Sequence, residues 1–327
     1  MFLLFISVTL TGCMKEDKND VLNKVTKNID NSNGYNIDAK MELINNDDSY
    51  KYDVTVSYKK KNNYRVSLRN KSNNHEQIIL KNKEGVFVLT PNLNKSFKFQ
   101  SNWPNNNSQS YLLQSILKDI KTDNNYKMKS TKNGYILTSK VNYKNNKKLT
   151  HQDVYIDKDY NIKKVKVLDN ENNIWIKVDF NNIDLKAKFS DDYFVLEENM
   201  DKMTLNEETE EESLEFDEAI YPMYLPDGTY LENEKQVDLE NGSRIILTFK
   251  GENPFMLVEE KVSKSDDLLV VPTSGDLDIF MDSVAIIGDS SVSWIDNDIE
   301  YYLVSSSIST PELISVAKSI SSIPLTK

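Results

Sequence analysis

Apolar residues recur along this chain with two periods, and the switches between them lay out its elements. After a polar stretch from Met14 to Asn19, Val21, Leu22, Val25 and Ile29 fall on one helical stripe, which Asn31-Ser32-Asn33-Gly34 ends. The period then shortens to two. Tyr52, Val54, Val56 and Tyr58 alternate with Asp53, Thr55 and Ser57, the pattern of a half-buried antiparallel strand. Tyr64, Val66 and Leu68 repeat it, and Ile78 to Leu80, Val86 to Leu89, and Phe97 with Phe99 follow. Polar turn stretches separate these runs.

A helix interrupts the strands. Ser108 is its expected cap, and Leu113, Ile116, Leu117 and Ile120 form its apolar stripe. Strands resume at Tyr135 to Thr138, Asp153 to Ile156, Val165 to Leu168 and Ile174 to Phe180. A sheet with this many strands curls, and helices then plug its concave face. The acidic stretch Asn206 to Glu218 reads as a linker. Beyond it, Tyr221-Pro222-Met223-Tyr224-Leu225-Pro226-Asp227-Gly228 precedes strands at Arg244 to Phe249, Met256 to Val262, Ser283 to Ile287, Val292 to Ile295 and Ile299 to Ser305. Asp296-Asn297-Asp298 is the expected hairpin turn of the last pair. A closing helix takes Thr310 as N-cap and Pro311 as N1, and buries Leu313, Ile314, Ala317 and Ile320. The fold class is α+β, mostly antiparallel β. The expected divisions are 1–13 (signal peptide), 20–200 (large sheet domain), 201–219 (acidic linker) and 220–327 (small α+β domain).

The N-terminus adds chemistry. The apolar run ending in Leu10-Thr11-Gly12-Cys13 reads as a bacterial lipobox, and Cys13 is the single cysteine of the chain. Small residues let a signal peptidase take the segment extended, and the thiol accepts a diacylglycerol. A buried, inert cysteine is the alternative. No Lys or Arg precedes Phe2, a departure from the usual signal-peptide start. The run of about eleven apolar residues is shorter than the roughly twenty that span a bilayer, so an anchor is expected and not a transmembrane helix.

Charge divides the chain. Residues 1–199 carry 32 Lys and Arg against 24 Asp and Glu, and residues 200–327 carry 8 against 27. A basic domain beside a lipid anchor suits anionic head groups. The acidic part is either repelled from that surface, docked on the basic part or turned to a basic partner; two unrelated solvated surfaces would look the same. Net charge −11 and export argue against nucleic acid as a partner.

Catalytic signals are sparse. His75 and His151 are the two histidines, each in a polar setting without acidic or Cys neighbours at ligand spacing. No nucleophile elbow, phosphate-cradling glycine loop or zinc-binding helix is present. Asp276-Leu277-Asp278 begins like a calcium loop but lacks the third acidic position, the central glycine and the closing glutamate. Glu207 to Glu212 is a charge run. No catalytic residue, metal ligand or cofactor is assigned; a hydrolytic carboxylate pair would come from distant positions that nothing here selects. Tyr52, Tyr58, Tyr64, Phe97, Phe99, Trp103, Tyr111 and Tyr135 either form the core beneath the helices or line a cavity for an acyl chain or a partner side chain.

The stretch from Gly85 through Thr90-Pro91-Asn92-Leu93-Asn94-Lys95-Ser96 to Trp103-Pro104, running on to Ser108-Gln109-Ser110-Tyr111-Leu112-Leu113, resembles Gram-positive lipoproteins with a LolA/RseB-like fold, the germination-lipoprotein (GerS-related) group among them. The resemblance covers roughly residues 20–197. It implies a lipobox, an N-terminal helix and an unclosed antiparallel half-barrel plugged by helices. Residues 220–327 resemble a small domain of unknown function attached to such proteins, through the Tyr-Pro-x-Tyr-Leu-Pro-Asp-Gly opening, the Val292-Ser293-Trp294 to Tyr301-Tyr302 hairpin and the final Pro-Glu-Leu helix. That second domain is a departure from the single-domain members. The resemblance implies no catalysis. It implies a membrane-anchored, extracytoplasmic protein on the cell membrane or in the spore envelope, which binds a cell-wall (cortex) amidase in sporulation or germination. The alternative it offers is a lipid or lipoprotein carrier or sensor.

Overall fold

The computed structural model describes residues 16–45, 48–99, 101–204, 218–239, 242–280 and 283–320. The first run comprises α1 (Lys18–Asp30), β1 (Gly34–Asn45), β2 (Asp48–Lys59), β3 (Asn63–Asn70), β4 (Glu76–Asn82), β5 (Gly85–Thr90), β6 (Lys95–Phe99), α2 (Leu113–Thr122), β7 (Lys127–Thr131), β8 (Gly134–Lys140), β9 (His151–Asp157), β10 (Ile162–Leu168), β11 (Ile174–Asp184) and α3 (Leu196–Thr204). The second comprises β12 (Thr229–Leu239), β13 (Gly242–Gly251), β14 (Phe255–Lys261), β15 (Leu269–Thr273), β16 (Asp276–Phe280), β17 (Ser283–Ile287), β18 (Ser291–Asp296), β19 (Ile299–Val304) and α4 (Thr310–Lys318). The architecture is the α+β, mostly antiparallel one that the apolar periods dictate.

Twelve strands form one unclosed sheet in the order β15-β6-β5-β4-β3-β2-β1-β11-β10-β9-β8-β7. β1 joins the two meanders by pairing with both β2 and β11. Its alternation of Tyr35, Ile37, Ala39 and Met41 is quiet in the sequence because Asn, Asp, Ala and Lys between and among them are poor strand formers. The concave face buries these residues with Val54, Val56 and Val66 against the stripes of α1 and α2. Each fully buried Val, Leu or Ile there contributes about 1.5–3 kcal/mol. The helices are held by this burial, as their short lengths require.

β4 and β5 are buried on both faces, which explains their unbroken apolar runs. Ile79 and Val88 face the concave core, whereas Ile78, Leu80, Phe87 and Leu89 pack under Phe194, Leu196 and Met200 at the start of α3. α3 thus covers the convex face, and it extends to Thr204, into the stretch expected to be linker.

Seven strands form the second sheet, β12-β13-β14-β19-β18-β17-β16, with α4 on one face. The β18–β19 hairpin turns at Asn297-Asp298, both with positive φ, as the sequence predicts. Two cap assignments are corrected. Ser309 is the N-cap of α4, and Thr310 is helical, its hydroxyl donating to the Asp289 carbonyl. Leu112 precedes α2, and Ser108 instead exchanges hydrogen bonds with Asn142 at 2.8 and 2.9 Å, tying the approach to α2 to the loop after β8.

The first sheet takes one strand from the C-terminal part of the chain. β15, which lies between β14 and β16 in the chain, leaves the second sheet and pairs in parallel with β6 at the edge of the first. Pro272 removes an N–H from this edge strand and blunts it against further pairing.

Candidate partner-binding surface

The interior of the curled sheet is filled. Tyr35, Tyr58, Tyr64 and Trp103 form a ladder of rings with successive centroids 4.9, 4.9 and 5.7 Å apart. The Tyr35 hydroxyl donates to the Gln114 side chain on α2, which fixes the ladder to the plug. Burial holds the Tyr35 and Tyr64 hydroxyls well above the usual phenol range. Of the aromatic residues singled out in the sequence, Tyr52, Tyr64, Phe97, Phe99, Trp103 and Tyr111 are buried in the core, and Tyr58 and Tyr135 pack partly buried against it.

Two small clefts lie where the sheets meet, of about 70 and 30 Å3. Leu43, Tyr50, Tyr143, Trp175, Asp278 and Lys318 line the first. Burial pushes the Asp278 carboxyl up and the Lys318 amine down, and the attraction between the two opposes both shifts. Clefts of this size suit a few water molecules.

The seam between the sheets is polar and ordered. The Gln77 side-chain oxygen accepts the Val284 N–H at 2.6 Å, Asn106 donates to Asp276 at 2.5 Å, and Asn92 donates to Asp298 at 3.1 Å. Lys95 meets Glu300 at 2.5 Å. Basic and acidic parts therefore dock, one of the outcomes the charge division allows.

The second sheet also exposes apolar side chains. Pro222 and Pro226 keep residues 221–226 out of any strand, because neither has an N–H to give. The segment instead lies along α4, bonded near both of its ends, and beside β12. Met223 N–H donates to the Ser319 carbonyl at 3.1 Å, Tyr221 donates to Glu234 on β12, and Tyr224 donates to Glu312 on α4. These bonds spend the hydroxyls while both side chains stay exposed. Met223 is 77 % exposed, and Tyr221, Tyr224, Leu225, Tyr230 and Leu231 are exposed with it. Glu218, Asp227, Glu234 and Glu312 surround the segment in sequence or through these bonds. An apolar group with an acidic rim marks an interaction surface, and Tyr and Met are the side chains such surfaces favour.

Beneath this segment lies a group that the sequence did not reveal. Glu259 on β14 is fully buried and accepts the Ile220 N–H at 3.0 Å. Burial raises its carboxyl to about 7, with the Glu234 charge adding to the effect. Its position in an apolar strand register was readable; its closure by the chain before β12 was not.

The other sequence candidates are dispersed. Cys13 and Glu207 to Glu212 lie outside the described residues. His75 sits in the β3–β4 turn, and His151 opens β9 with its Nδ1 3.0 Å from the Thr150 hydroxyl. Asp276 and Asp278 belong to strand β16, so they form no calcium loop. Among the described residues no three His, Cys, Asp or Glu side chains group as metal ligands. Nor is any described helix long and apolar enough to cross a membrane.

Comparison with known proteins sets this geometry in a family. The model of the family described as "Sporulation protein YdcC-like" matches residues 1–194. The chain is 33 % identical over 318 residues to the sporulation protein YdcC of Bacillus subtilis (strain 168), covering 97 % of this chain and 94 % of that one. Among solved structures, the Pseudomonas aeruginosa MucA/MucB complex matches at 10 % identity and a TM-score of 0.33, over 92 % of this chain and 96 % of the other. The CwlD amidase of Clostridioides difficile in complex with the GerS lipoprotein matches at 19 % identity and a TM-score of 0.23, over 54 % and 98 %. Structural scores this low carry no functional argument. The family match and the near full-length relative do: the chain belongs to the YdcC-like family of sporulation proteins.

Proposed function

We propose that this protein is an extracytoplasmic lipoprotein, anchored through acylated Cys13, that binds a partner protein during sporulation without transforming it. Residues 20–200 act as the platform, 201–219 as an acidic connector and 220–327 as the partner-facing unit. The partner is a cell-wall amidase acting on the spore cortex. Membership in a sporulation family sets the process. The observation that carries the binding role is the exposed Tyr221, Met223, Tyr224 and Leu225 strip with its carboxylate rim. A carrier of lipid or lipoprotein would need an open half-barrel, and the aromatic ladder occupies that space.

The test is a pull-down of purified cell-wall amidase with the soluble chain from residue 14 onward. Retention by the wild type and loss on Met223→Glu supports the reading; no retention, or equal retention by the variant, ends it. In cells, deletion should leave vegetative growth normal and yield spores that fail to germinate. Mutant spores that germinate fully would rule out the amidase role.

A further inference from the structure

The geometry points to one end of the twelve-stranded sheet as a surface apposed to anionic phospholipid head groups, with the second sheet held at the other end. This deepens the anchoring reading and rests on it for the tether.

The start of α1 is stapled to the sheet. One Glu16 oxygen accepts from Lys24 and from the Tyr160 hydroxyl at 2.8 Å, and the other accepts from the Tyr135 hydroxyl at 2.5 Å. Lys18 donates to the Tyr126 carbonyl at 2.9 Å, and the Tyr126 hydroxyl donates to Asn19 at 2.7 Å. Three residue steps separate Glu16 from Cys13, a reach of about 10 Å when fully extended. A chain fixed at Glu16 and acylated at Cys13 therefore has almost no leash, and the sheet end beside Glu16 must lie close to the bilayer.

The strand register identifies that end. Tyr135 and Tyr160 lie at the β7–β8 and β9–β10 turns, and Gly134 pairs with Asp157. Asn36 pairs with Asp184 and Gly34 with Lys59, which carries the same end across β11, β1 and the β2–β3 turn. Tyr64 pairs with Lys81, which adds the β4–β5 turn. The five segments 59–63, 82–85, 131–134, 157–162 and 184–188 hold eight lysines against four carboxylates, and Asp191, just beyond them, pairs with Lys59 at 3.2 Å. Lys60, Lys61, Lys132, Lys158, Lys186 and Lys188 are exposed there. The seam bonds come from Gln77 and Lys95 at the opposite ends of their strands and from Asn92 in the β5–β6 turn at that same end, so the carboxylate-rich second sheet points away. Each lysine near an anionic surface adds about 1 kcal/mol of attraction.

Two measurements test this. The acyl-free chain from residue 14 onward is sedimented with phosphatidylcholine vesicles, with and without phosphatidylglycerol. Salt-sensitive binding to the anionic vesicles is expected, weakened about tenfold or more when Lys60, Lys61, Lys186 and Lys188 become Glu and unchanged when Lys144, Lys147 and Lys148 at the far end become Glu. No binding, or equal weakening by both sets, overturns the surface. The acylated full chain is then labelled with a fluorophore at Asn133→Cys or Lys147→Cys and quenched by head-group nitroxide lipid. Stronger quenching at position 133 is expected; equal quenching overturns the orientation. An unmodified Cys13 by mass spectrometry would remove the anchor while leaving the sedimentation result to stand or fall alone.

Discussion

The Lys95 ammonium lies 2.5 Å from the Glu300 carboxylate, at the point where the start of β6 meets β19 of the other sheet. Lys95 is only 9 % exposed at its side chain, so it depends on this partner. Removing one member of such a pair leaves a poorly solvated charge behind. Glu300→Gln should cost about 1–3 kcal/mol, less than for a fully buried pair because Glu300 retains some water. A double-mutant cycle with Lys95→Met measures it; a coupling energy near zero would show the contact to be idle.

Glu259 makes stability depend on pH near neutrality. Its carboxyl sits at about 7 in the fold and near 4.5 when exposed. The folded protein binds this proton more tightly than the unfolded chain. The stabilisation is therefore complete below pH 4.5 and is lost as pH rises through 7, by about 3 kcal/mol in all. Glu259→Gln should match the wild type at pH 5 and exceed it at pH 8 in denaturant midpoints. Parallel profiles for the two proteins would exclude Glu259 as the titrating group.

Gly251 cannot carry a side chain. Its φ is +116°, and a Cβ there would stand 1.9 Å from the Gly228 carbonyl oxygen at the β12–β13 pairing. Gly251→Ala should cost about 1–3 kcal/mol, read as a lower urea midpoint. An unchanged midpoint would mean that this turn relaxes without loss.

The helical plug should matter to stability well beyond its exposed length. Ile116 on α2 is fully buried among the sheet's concave residues. Ile116→Ala should cost about 2–5 kcal/mol and lower the melting temperature. A loss below 1 kcal/mol would show that α2 docks loosely.

Met223 should behave in the opposite way. Its side chain is largely in water, so Met223→Glu should leave the melting temperature unchanged while abolishing partner retention. A fall in stability comparable to that of Ile116→Ala would mean that the strip is structural and not a binding surface.

The apolar periods by themselves determined the α+β class, most strands of both sheets, the four-residue stripe of α1 and the Asn297-Asp298 hairpin, because each follows from which face of a local element must leave water. The same alternation was present in β1 but carried by Ala39, Met41 and polar residues too weak to announce a strand. Tertiary structure alone decided the rest. Leu269-Val270-Val271 is an apolar run that the sequence reading passed over, and it pairs with β6 of the first sheet, since strand pairing is set by available edges and not by nearness in the chain. Ser108 could cap a helix by its type, but the Asn142 backbone claims it. The aromatic residues could have lined a cavity or filled one, and only the placement of α2 and Trp103 against Tyr64 made them core. Glu259 reads as an ordinary strand glutamate until Ala219 and Ile220 pack onto the second core and the Ile220 N–H closes on its carboxylate, excluding the water that would have kept it charged.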